Sequence, residues 1–274
     1  MSERISPELE GAQAFSSSIA LVPFLFGLAQ RSELGGTALT TLLTDLGQTP
    51  SAARGTIMRL RRAGNLVGRR EGRNVHYRLA GQLAAGFDRL TDASAAPNWT
   101  GEFHALLFSV PEAHRPFRDT LRRSAVMCGY GILQQGVLIS LADHWPTLSN
   151  TLPPRPPDAT LYPARLALPA ADAARAAATA WQLPARADRL DHHRRQLRKA
   201  LRDNAPTPGP AALRRLDELL NPPMQDILTT PRLPPDLLPD HWPLPALWSD
   251  LDEINHRYGP PAKAHVDRTL NGPL

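Results

Sequence analysis

Eight arginines fall between Arg54 and Arg78, with no lysine among them and one acid, Glu71. That window carries a surplus of seven positive charges, whereas the rest of the chain holds 23 basic and 25 acidic residues. A guanidinium pairs bidentately with phosphate or guanine, and an ammonium does not. Positive charge confined to one short segment is the electrostatic footprint of a phosphate-binding face. The alternative is a solvated basic helix and hairpin, and the order of elements around the arginines decides against it.

Residues 36–46 place Leu39, Leu42, Leu43 and Leu46 on one helical face, and Gly47 suits the end of that helix. Thr49 offers a capping oxygen and Pro50 the first position of a second helix, which runs to about Ala63 and stops at Gly64. Ile57, Leu60 and Ala53 face inward. Ser51, Arg54, Gly55, Met58, Arg59, Arg61 and Arg62 are left on other faces. Leu66 to Arg70 and Asn74 to Leu79 alternate as strands, with Glu71-Gly72-Arg73 as their turn. Helix, turn, helix and hairpin in this order predict a winged helix-turn-helix. Its second helix would enter a major groove, and the Arg69–Arg73 tip would lie over backbone or a minor groove. The apolar run Ile19 to Ala29, with Pro23 inside it, reads as a first helix packed behind the other two.

That run is too short to cross a bilayer, for which ~20 apolar residues are needed. The acidic residues Glu3, Glu8 and Glu10 do not make a signal peptide's basic start. A single cysteine, Cys128, excludes an intramolecular disulfide and a cysteine-rich metal site, and a reducing cytoplasm is expected. No Walker loop, GxGxxG, GxSxG or HExxH is present. The one adjacent histidine pair, His192-His193, points in different directions on a helix and reads as surface. No cofactor, no metal and no catalysis are therefore expected.

Farther along, Phe103 to Val110 is a buried-strand pattern, Phe117 to Met127 a helix, Gly136 to Leu141 a second strand and Thr160 to Leu168 a third. Ala170 to Trp181 is a second helix. This is most of a ferredoxin-like unit, with the fourth strand not evident. Arg118, Arg122 and Arg123 share the Phe117–Met127 helix. They would either grip an anionic ligand or form a solvated basic face. Seven of the 28 prolines lie in residues 1–150 and 21 in the remainder, so prolines at 153–157, 206–210, 222–223 and 231–245 divide the second half into short pieces. Helices are expected over Ala187–Asp203, Ala211–Leu220 and Leu247–Tyr258, with Leu237, Leu238 and Trp242 in an ordered, packed connection.

Three blocks of this chain resemble the PaaX-type transcriptional repressors, named for the regulator of phenylacetic acid degradation. They are RLRRAGNLVGRREGRNVHYRL, FSVPEAHRPFRDTLRRSAVMCGYGILQQGVLIS and TTPRLPPDLLPDHWP. The resemblance spans roughly residues 15–258. It implies an α+β protein with an N-terminal winged helix over 15–90, a central ferredoxin-like α/β sandwich over 98–182 and a C-terminal helical domain over 183–274. It further implies a homodimeric repressor of a catabolic operon, bound to a double-stranded DNA operator and released by a small anionic effector such as an acyl-CoA or aryl-CoA thioester. The implied DNA contacts are Ser51, Arg54, Arg59, Arg61 and Arg62, with Arg69, Arg70 and Arg73 on the wing. Arg118, Arg122 and Arg123 are the candidate effector grip. The chain departs from the family at Gly55, where a Thr is usual, and at Asn65, where an aromatic is usual.

Two other readings compete. A ferredoxin-like core also serves metal-dependent nucleases, which need a carboxylate at the end of the first strand. Here that position is Ser109-Val110, and the nearest acid is Glu112, beyond a proline. The third reading is a DNA-binding protein without an effector.

Overall fold

The computed structural model describes residues 17–72, 74–81, 83–84 and 99–272. Arg73 and the acidic N-terminal residues lie outside them. The chain divides into two units, one of residues 14–94, 189–228 and 243–274, the other of residues 1–13, 95–188 and 229–242.

In the first of these, α1 (Ser17–Ala29), β1 (Leu34–Gly35), α2 (Gly36–Asp45) and α3 (Pro50–Arg62) are followed by the hairpin β2 (Leu66–Glu71) and β3 (Asn74–Leu79). The three strands form an antiparallel sheet in the order β1-β3-β2. Leu66 stands opposite Leu79, and Glu71 opposite Asn74. Of the leucines predicted to share the inner face, Leu39, Leu42 and Leu43 are fully buried, with Leu60 of α3 and Leu25 of α1, whereas Leu46, at the end of α2, is only partly buried. Thr49 accepts the Ala52 amide at 3.2 Å and caps α3 as expected.

The helices of the second half depart from expectation. Its first, α7 (Leu183–Ala200), begins earlier than predicted. The next two, α8 (Pro210–Thr229) and α9 (Leu244–Asn271), run straight through Pro222-Pro223 and Pro260-Pro261. A helix-interior proline costs ~3 kcal/mol. Burying a large apolar side chain returns ~1.5–3 kcal/mol, however, and both apolar stripes continue past the prolines, with Ile227 on α8 and Ala262 and Val266 on α9. On α8 that stripe is Leu213, Leu216, Leu219 and Ile227; on α9 it is Leu251, Ile254, Tyr258, Ala262 and Val266. The polar ties agree with this: Tyr258 donates to the Ala200 carbonyl at 2.6 Å, and Asp250 receives Arg194 and Arg198 at 3.1 and 3.2 Å.

In the other unit, β4 (Glu102–Ser109), α4 (Arg115–Met127), β5 (Gly131–Gln134), β6 (Val137–Ser140), α5 (Trp145–Thr151) and β7 (Thr160–Ala167) precede α6 (Ala170–Ala180). The sheet is antiparallel in the order β5-β6-β4-β7. The strand missing from the sequence reading is β5, a four-residue segment that opens on glycine. Gly131 is there for proximity, because a Cβ on it would stand 2.8 Å from that of Ala180. Side chains alternate across the sheet. Phe103, Ala105 and Ile139 pack with α6, Trp181 and the 233–242 segment, where Leu233 and Leu237 are buried and Trp242 packs against them. Leu106, Phe108 and Leu138 pack with Phe117 and Leu121 of α4 and with Leu148 of α5. That last helix, seven residues long, was not anticipated.

Candidate nucleic-acid interface

The helix α3 sorts its residues cleanly. Ala53, Thr56, Ile57 and Leu60 are buried, while Ser51, Arg54, Met58, Arg59, Arg61 and Arg62 are exposed. Ser51, Arg54, Met58 and Arg61-Arg62 recur at helical spacing and so share one face. No carboxylate lies on the helix, and three arginines occupy its last turn. There they also face the partial negative charge of the helix C-terminus.

The arginines are held to different degrees. Arg59 donates to the Thr56 hydroxyl at 3.0 Å, and Thr56 in turn donates to the Gln48 amide oxygen at 3.3 Å. Arg61 lies over the Tyr77 ring, 5.9 Å from its centroid. Arg54 and Arg62 have no side-chain partner among the described residues. The hairpin continues the exposed basic surface with Arg69 and Arg70. Arg70 donates to the Gly72 carbonyl at 3.2 Å, and Gly72 holds the positive φ of 60° that the turn demands. Arg69 bridges Glu33 at 3.1 Å and Glu71 at 3.2 Å. The hydrogen bond that Arg69 donates to Glu33, with the charges of both acids, raises the Arg69 pKa. Glu33, Thr56 and Gln48 were not singled out in the sequence. Their roles come from side-chain contacts that spacing does not encode.

On α4, Arg118 pairs with Glu112 at 2.8 Å, Arg122 lies over the Phe108 ring at 5.9 Å, and Arg123 is exposed. One helix carries all three, but they do not share one contact. Glu112, the acid nearest the end of β4, is thus committed to an arginine. Among the described residues no three His, Cys, Asp or Glu side chains converge as a metal site, and no helix is long and apolar enough to cross a membrane. His193, expected at the surface, is half-buried against Asp226, with Nε2 2.7 Å from Oδ2. Cys128 is a partly buried free thiol whose pKa is raised by desolvation, the opposite of an activated nucleophile.

The architecture is a mixed one, with helices and two antiparallel sheets, and its best-defined charged surface is the arginine face of α3 and the hairpin. It is shared with a solved structure, the uncharacterized protein Rv0674 from Mycobacterium tuberculosis, at 22% identity and a TM-score of 0.57 over 91% of this chain and 96% of that one. No curated protein matches. Two family models do match: the PaaX-like protein over residues 25–83, which contain α3 and the hairpin, and the PaaX protein central Cas2-like domain over residues 96–154. These two matches support the PaaX family, a family of transcriptional regulators.

Proposed function

We propose that this chain is a sequence-specific DNA-binding repressor of a catabolic operon, released by a small anionic effector such as an acyl-CoA or aryl-CoA thioester. The observation that carries the reading is the acid-free, arginine-bearing face of α3, continued by Arg69 and Arg70 on the hairpin. On this reading α1–α3 with the β2–β3 hairpin form a winged helix. Ser51, Arg54, Arg59, Arg61 and Arg62 meet the major groove, and Arg69, Arg70 and Arg73 meet the backbone. The strand order β5-β6-β4-β7, in a chain that runs strand, helix, two strands, helix and strand, supports a ferredoxin-like central domain. The protein works in the cytoplasm as a homodimer that places two such helices one DNA turn apart, ~34 Å. The effector's phosphates meet Arg118, Arg122 and Arg123, with Arg118 leaving Glu112. Release follows if the effector prefers a dimer geometry that no longer matches the operator.

The test is binding to a fluorescent fragment of the gene's own upstream DNA against a scrambled fragment, titrated with salt and then with phenylacetyl-CoA. Selective binding with a steep salt slope, released by the thioester, is expected. Equal affinity for both fragments overturns sequence-specific regulation. Selective binding that ignores the thioester overturns this choice of effector.

A further inference from the structure

A helix apolar on every side has to be covered on every side. The sequence of α1, SSIALVPFLFGLA, holds no charged residue. One face, with Leu21, Val22, Leu25, Phe26 and Ala29, is buried. The opposite face, with Ala20, Pro23, Phe24, Gly27 and Leu28, is only half covered and forms one wall of a cavity of about 700 Å³. Leu220 and Met224 of α8 and Trp248 of α9 close the other walls. The size lies in the range of small-molecule sites, roughly 300–1,000 Å³, as does a mainly apolar lining with a few polar groups.

Those polar groups specify the head of the ligand. The one lysine, Lys263, is committed to both oxygens of Asp267 at 3.1 Å each. His256 gives Nδ1 to the Asp252 carbonyl at 2.9 Å, and Asn221 gives an amide hydrogen to Asp217 at 2.9 Å. What remains includes the Asp252 carboxylate, which only accepts and stands 3.5 Å from His256 Nδ1, and the amides of Asn221, Asn255, Gln30 and Gln225, which both accept and donate. Asp252, Asn255 and His256 lie at the exposed rim of the cavity, where an anionic head would meet the Asp252 carboxylate and find Lys263 already paired.

We infer that this cavity is a binding site for a small molecule with an apolar, aromatic body and a head that donates hydrogen bonds, neutral or cationic and not anionic. Phe24 and Trp248 supply aromatic surface for the body. The acceptors on α8 and α9 receive the head. The site is distinct from the anionic-effector grip on α4. Only its consequence for DNA rests on the regulatory reading above: α1 is at once a wall of the cavity and a buried neighbour of α2 and α3, so occupancy bears on the segment that carries α3.

A matched series tests the assignment, with 2-(1-naphthyl)ethylamine, 2-(1-naphthyl)ethanol and 1-naphthylacetate as probes of the full-length protein. Saturation-transfer NMR and calorimetry would measure binding without DNA. The amine or the alcohol is expected to bind saturably, at least 10-fold tighter than the acetate. Their relative affinity then says whether the natural head is cationic or neutral. Filling the cavity with Met224→Trp is expected to weaken binding at least 10-fold, and Ala20→Phe serves the same purpose from α1 should the first variant fail to fold. The proposal is overturned if no probe saturates, if the acetate binds as tightly as the others, or if a folded filled variant binds like the wild type. Because the readout omits DNA, its failure leaves the operator-binding reading standing, and failure of operator binding leaves the cavity assignment standing.

Discussion

The arginines of the basic face are not equivalent. Arg54 and Arg62 have no side-chain partner among the described residues, whereas Arg69 is shared by Glu33 and Glu71. A phosphate contact contributes to affinity by releasing counterions, with a salt slope of about −0.9 per phosphate neutralised on duplex DNA. An arginine already neutralised by two carboxylates contributes less. Arg54→Ala and Arg62→Ala are therefore each expected to weaken operator binding and to flatten the plot of log K against log salt by about 0.9. Glu33→Gln is expected to act in the opposite sense, tightening binding and steepening the slope, because it returns Arg69 to the DNA. Fluorescence anisotropy between 50 and 300 mM salt, roughly the range over which such slopes are measured, checks all three. A Glu33→Gln slope equal to that of the wild type would remove Arg69 from the set of phosphate contacts.

Among the elements, the ones built from local signals were legible and those decided by distant packing were not. Thr49-Pro50 starts α3, Gly47 and Gly64 bracket it, and the alternation of the hairpin fixes its register, all within a few residues. The continuation of α8 and α9 through paired prolines depends on partners far along the chain, so proline chemistry alone ends these helices too early. The strand β5 was invisible because it is short and its glycine answers to Ala180, 49 positions away by their numbering. Within the candidate interface the exposed arginines could be read from spacing, but the contacts of Thr56 with Gln48 and of Arg69 with Glu33 could not, since each joins different segments. The same contrast ranks mutations. Thr49→Ala removes a cap and costs about 1 kcal/mol. Asp250 is buried on α9 and receives Arg194 and Arg198 from α7. Asp250→Ala leaves Arg194 with Asp191 alone and Arg198 with solvent, and costs about 2 kcal/mol, whereas Arg198→Ala, at an exposed side chain, costs under about 1 kcal/mol. Urea denaturation should return that order.

At the scale of the whole molecule, pH acts through charge balance and through single displaced groups. The formal charge of +5 at pH 7 grows as carboxylates are protonated, and self-repulsion then destabilises the fold. Asp217 works in the other direction. Burial pushes its carboxyl from 3.8 up to about 6, opposed by the hydrogen bond from Asn221. The native state thus holds this proton more tightly than the unfolded chain does. The stability that the protonated group contributes is fully present below about 3.8 and is lost as pH rises through 6. Converted at 1.36 kcal/mol per pH unit, the loss is at most about 3 kcal/mol. Asp217→Asn keeps an acceptor for Asn221 and removes the titration, so comparison of variant with wild type cancels the repulsion common to both. Urea midpoints for the two proteins should nearly coincide at pH 4, and the variant should gain steadily to a plateau above pH 7. Parallel curves across that range would mean that the Asp217 carboxyl is solvated well enough in the native state to titrate as it does in the unfolded chain.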